Sequence, residues 1–175
     1  MIITVQLEFL PTGATGTRFV LKDETLPRSG SLAILVTLDE PAFLYVSGVD
    51  PDGPGEPVQR LVAPQEASST EPGGPKKIAP TPAGSYRFPA DPRKRYRLDR
   101  SPGNESVWVA GAAQPIDQRA PADDEERLLF WALGFGARGI PPRGPEGGQT
   151  GRGDIVVSKS TTSGIAYAMF PYVHG

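Results

Sequence analysis

The stretch Ser31-Leu-Ala-Ile-Leu-Val-Thr-Leu38-Asp-Glu-Pro41-Ala-Phe-Leu-Tyr45-Val-Ser-Gly-Val49 decides the fold class. It holds a pair of apolar runs of strand length, divided by Asp39-Glu40-Pro41. In the first run Leu32, Ile34, Val36 and Leu38 recur at every second residue, the period of a strand with one buried face. The second run, Ala42–Val49, carries Phe43, Leu44, Tyr45 and Val46, types that suit a pleated, packed surface. Proline cannot donate to a ladder, so Pro41 marks a connection. The two runs are expected to be sequential neighbours in one sheet.

Working outward, Ile3, Val5, Leu7 and Phe9 alternate with Thr4, Gln6 and Glu8, which gives a strand over Ile2–Phe9. A short strand is expected around Thr17–Leu21, before a polar turn through Asp23–Gly30. After Val49, Asp50-Pro51-Asp52-Gly53 is a turn: proline presets its φ and glycine accepts a positive one. Val58–Val62 returns as a strand, and Pro64–Pro75 reads as a mobile polar surface loop. Shorter strands are expected at Lys77–Ala79, Ser85–Phe88, Arg95–Leu98 and Val107–Ala110. One helix breaks the series, near 122–133. Asp123, Asp124, Glu125 and Glu126 complement the dipole at its start, and Gly134 suits a left-handed cap at its end. Ile140–Gly153 is a loop, and Asp154–Lys159 with Gly164–Val173 form a terminal hairpin. Many short strands at this spacing predict an antiparallel β-sandwich or partly open barrel with that one helix, as a single domain over 1–175.

Composition narrows the function classes. The 21 glycines and 20 prolines fall between patterned apolar runs and indicate a domain rich in turns. A net charge of -2 supplies no field to gather nucleic acid or an anionic membrane. Arg93, Arg95 and Arg97 are expected as one solvated strand face. There is no cysteine, hence neither disulfide nor thiolate metal site. No apolar run approaches a membrane span, and Met1–Glu8 lacks the features of a leader. A cytoplasmic protein is expected if Met1 is the native start, and an envelope or secreted one otherwise.

Catalytic signals are sparse. A nucleophilic triad needs a base in reach of its nucleophile, and the sole histidine, His174, stands next to last in the chain, where termini fray. No cofactor or metal is expected. Asp50, Asp52 and Glu56 lie close in sequence, but without the spacing of a calcium loop they read as a turn. Gly134-Phe-Gly136-Ala-Arg-Gly139 fits a dinucleotide fingerprint in the wrong context, since a helix precedes it and Ile140-Pro141-Pro142 follows. Arg152-Gly153-Asp154 matches an adhesion tripeptide by composition alone.

The middle of the chain combines motifs in a telling order. Ala42–Val49 leads into Asp50-Pro-Asp-Gly53, and Val58–Val62 ends at Pro64. Then come Pro82-Ala83-Gly84-Ser-Tyr86-Arg-Phe88-Pro89 and Pro102-Gly103-Asn104-Glu105-Ser-Val107-Trp108-Val109. In this order they resemble the bacterial family of domain of unknown function 4384, over roughly residues 30–116. The resemblance implies an all-β accessory module with no family-wide catalytic residue.

The expected function is therefore a non-catalytic interaction or regulatory module with a protein partner, bound through Phe130, Trp131 and Phe135 if these form an exposed patch. Glu105 is the acid expected either to cap amides or to face a ligand. An envelope module for glycan or another ligand is the alternative. A carboxylate enzyme comes third, and would need a deep pocket holding two or more of Asp50, Asp52, Asp91, Asp99 and Glu105.

Overall fold

The computed structural model describes residues 1–51, 56–64, 66–67, 77–98, 102–116, 119–135 and 153–175. In chain order the strands begin with β1 (Ile3–Pro11), β2 (Arg18–Phe19), β3 (Thr25–Leu26), β4 (Gly30–Leu38) and β5 (Phe43–Val49). They continue with β6 (Val58–Val62), β7 (Glu66–Ala67), β8 (Lys77–Ile78), β9 (Gly84–Phe88) and β10 (Tyr96–Arg97). The last are β11 (Gly103–Ala112), then, after the helix α1 (Asp124–Ala132), β12 (Val156–Val157), β13 (Lys159–Ser160) and β14 (Ala166–His174).

Alternation in β1 and β4 builds the first sheet. The two strands pair antiparallel from Ile3 opposite Leu38 to Pro11 opposite Gly30. β9 and β10 share the outer edge of β4, while β12 and β2 share the outer edge of β1. The second sheet runs β14-β11-β5-β6, with β13 and β3 on the free edge of β14. Every pairing in it is antiparallel except β3 with β14. Among the described residues the fold is thus mainly β and sandwich-like, with one helix and no closed barrel. Gly30 shows how tightly the first sheet is built: its φ is +150° and a Cβ there would stand 2.4 Å from the Phe9 ring.

The expectation that Ser31–Leu38 and Ala42–Val49 are neighbours in one sheet is wrong; β4 and β5 lie in opposite sheets. Sheets pack about 10 Å apart and each extended residue spans up to about 3.5 Å, so Asp39-Glu40-Pro41 suffices to cross. The amide of Ile2 donates to Asp39 Oδ1 and pins the end of β4, and Ala42 then exchanges backbone hydrogen bonds with Thr81. The terminal hairpin splits in the same way. β13 and β14 form a hairpin, but β12 joins the first sheet opposite Thr4 and Val5.

Two cores follow from this arrangement. Between the sheets lie the inward rows of β1 and β4 with Leu44, Val46, Val107, Val109 and Phe170. On the other face of the second sheet, Tyr45, Trp108, Tyr167 and Met169 meet Leu129, Phe130, Trp131 and Leu133. The helix forms there because its ends are satisfied. Asp123 caps the Glu126 amide, and Gly134, at φ +85°, lets the amides of Gly134 and Phe135 return to Trp131 and Phe130.

Candidate functional site

Strand parity sets the site. Leu44 and Val46 point between the sheets, so Asp50, an even number of residues further on, points the same way. Val107 and Val109 do likewise on β11, and so does Glu105. Val49 pairs with Ser106, so one step along the ladder brings Asp50 opposite Glu105. Glu105 in turn pairs with Tyr172 of β14. One row across the second sheet therefore carries Asp50, Glu105 and Tyr172, at the open end of the sandwich.

A cavity of about 250 Å³ opens on this row. Its apolar walls come from both sheets and include Leu32 and Ile34 of β4, Leu61 of β6, Leu98 and Val107. Tyr96 and Tyr172 add aromatic surface, and the exposed Arg97 stands at the rim. Burial raises the phenol of Tyr96 above its ordinary range, with Arg87 pulling weakly the other way.

Asp50 is 4% exposed, and among the described residues neither of its carboxylate oxygens has a hydrogen-bond partner. Its backbone amide donates to Pro57 O at 2.8 Å. Glu105 is also buried, with Oε1 lying 3.5 Å from His174 Nδ1. His174 is not frayed, as its position in the chain suggested. It is 1% exposed, because β14 lies between β11 and β3. His174 Nε2 sits 3.0 Å from the Arg28 carbonyl, which can only accept, so Nε2 is the donor.

The remaining expected residues fall elsewhere. Phe130 and Trp131 are 3% and 5% exposed and form no surface patch, since they cover the outer face of the second sheet. Phe135 is half-buried, its ring edge-on to Tyr45 at 5.4 Å and under the Arg60 guanidinium at 4.0 Å. Arg93, Arg95 and Arg97 do not share a solvated face: Arg95 is largely buried and donates to the side chain and carbonyl of Glu8. Asp91 pairs with Arg93, whose amide and guanidinium hold its pKa below the usual carboxylate range, and Glu56 is exposed. Asp154 of the adhesion-like tripeptide is buried and accepts from the Lys22 amide. Asp52, Asp99, Gly136–Gly139, Arg152 and most of Pro64–Pro75 lie outside the described residues.

Another buried acid provides a reference. Glu126 is 0% exposed and accepts from Arg119 Nη2 at 2.6 Å, the Ala122 amide at 3.1 Å and Thr161 Oγ1 at 2.9 Å, as well as from Ser163 Oγ. Burial alone would raise its pKa, but those four donors, Ser163 foremost, reverse the effect and hold it below the usual carboxylate range. It ties the first turn of α1 to the turn between β13 and β14.

Among the described residues no group of three or more His, Cys, Asp or Glu side chains could hold a metal, and no helix is long and apolar enough to cross a membrane. No family model, no curated protein and no solved structure matches this chain.

Proposed function

We propose that this domain is a binding module whose site is the cavity at the open end of the sandwich, on the row Asp50–Glu105–Tyr172. One observation carries the reading: a buried carboxylate without partners lines a cavity with otherwise mostly apolar walls. Buried polar groups are nearly always hydrogen-bonded, and leaving one unmade costs about 1–3 kcal/mol. A group held at that cost in a cavity is explained by a ligand that completes it. The partner surface shifts accordingly, from Phe130, Trp131 and Phe135 to the cavity.

The convergence of Asp50 and Glu105 favours a second reading, a hydrolase in which one carboxyl donates a proton and the other activates water or attacks. The two separate experimentally. In a small-molecule screen followed by amide chemical shifts, the binding reading expects shifts clustered at Ile34, Leu61, Leu98 and Val107. Shifts confined to outer surfaces overturn it. Turnover of chromogenic glycosides or esters that disappears in both Asp50→Asn and Glu105→Gln establishes the hydrolase instead.

A further inference from the structure

Resting on that reading, we infer that the cavity takes an organic ammonium group on a short apolar stem, the nitrogen placed at Asp50. Three features converge on this chemistry. The first is charge. Glu105 already faces His174 at 3.5 Å, whereas Asp50, on the same row, has no partner for either oxygen. Asp50 is thus the carboxylate that a ligand of single positive charge completes. Arg97 lies at the rim as an exposed side chain without an ion pair to Asp50, so a second cationic group on the ligand would meet repulsion at the mouth.

The second feature is the wall. Leu32, Ile34, Leu61, Leu98 and Val107 offer nothing to a polar body but match an alkyl or aryl stem. Tyr96 and Tyr172 add aromatic side chains, a type that attracts cations. A bare divalent cation is poorly served here: calcium takes six to eight oxygen ligands, and this site pairs two carboxylates with hydrocarbon. An ammonium donates three hydrogen bonds and leaves its stem free to pack.

The third feature is size. A cavity of about 150 Å³ accommodates benzene, so 250 Å³ has room for a ligand of about ten heavy atoms. Phenethylammonium and n-pentylammonium fall within that range, as does the side chain of a lysine in a peptide.

Titrating the full chain with phenethylammonium, 2-phenylethanol and 3-phenylpropionate, with amide shifts as the readout, tests the inference. The ammonium is expected to saturate shifts at Ile34, Leu61, Leu98 and Val107, with at least tenfold tighter binding than either isostere. Asp50→Asn, whose spectrum otherwise matches the parent, is expected to lose that preference; should the variant fail to fold, the isostere comparison in the parent decides alone. An alcohol or carboxylate that binds the cavity as tightly as the ammonium overturns the cationic class while the binding site stands. Calcium chloride shifting the same amides at lower concentration than phenethylammonium overturns it in favour of a metal. Silence of those amides toward every probe overturns both the inference and the binding site. An Nα-acetyl-lysine methylamide arm identifies the source: tighter binding than n-pentylammonium assigns a peptide lysine, and weaker binding assigns a free amine.

Discussion

Two buried carboxylates sit on opposite sides of the second sheet, and they are treated in opposite ways. Glu126, in the first turn of the helix, is surrounded by four donors and needs nothing further. Asp50, between the sheets, is nearly as deep and has no donor for its side chain. Burial by itself therefore says nothing about a group's role in this molecule; the difference lies in the partners. A satisfied buried acid joins elements, while an unsatisfied one beside a cavity costs stability that only something outside the chain can return.

The largest expected effect is on the helix side. Glu126→Ala removes the acceptor for all four donors and is expected to lower the unfolding free energy by about 3 kcal/mol in urea denaturation. A loss below about 1 kcal/mol would reduce Glu126 to a surface-like ion pair. That is conceivable only if Arg119, whose side chain is 40% exposed, finds water instead.

A smaller effect sharpens the same contrast through pH. Glu126 holds its proton less readily folded than unfolded, so its contribution is complete above the ordinary glutamate range near 4.5 and disappears as pH falls through its lower folded value. Glu126→Gln is expected to be less stable than the parent by about 1–2 kcal/mol at neutral pH. The gap should close in acid; a gap of constant size between neutral pH and strong acid contradicts the assignment.

The smallest expected change is at Asp50. Asp50→Asn removes an uncompensated charge and no hydrogen bond, so stability should stay level or rise by up to about 1 kcal/mol. A loss as large as that at Glu126 would erase the distinction between the two acids. Thermal unfolding of both variants side by side settles it.

The sequence discloses the two regions unequally. β1 and β4 alternate because one face of the first sheet is wet, and alternation is the pattern that single-sequence reading detects best. β5 and β14 are apolar at consecutive positions, Phe43-Leu44-Tyr45-Val46 and Ala166-Tyr167-Ala168-Met169-Phe170, because the helix side covers the outer face of the second sheet, whereas the outer row of β1 is only half-buried. That continuity already pointed to a doubly buried sheet, and with it to a buried Phe130 and Trp131. Sheet assignment was not legible, since four residues between strands permit either a neighbour or a crossing. Asp50 could have been placed by counting from Val46, and Glu105 by counting back from Val107. Their meeting depends on the β5–β11 register, which no local pattern encodes. His174 was misjudged because position in the chain stood in for position in the sheet.

The closure of β1 by β12 has a kinetic consequence. Thr4 pairs with Val157, and the Ile3 amide reaches Ser158 Oγ across 155 residues of sequence separation. Such an edge cannot form until nearly the whole chain has come together, and the entropy of closing that loop is lost before any contact compensates. Folding is therefore expected on the slow side for a domain of this length, in the range of milliseconds to seconds typical of sheets built from distant strands. The first strand waits, unsealed along one edge, for one of the last.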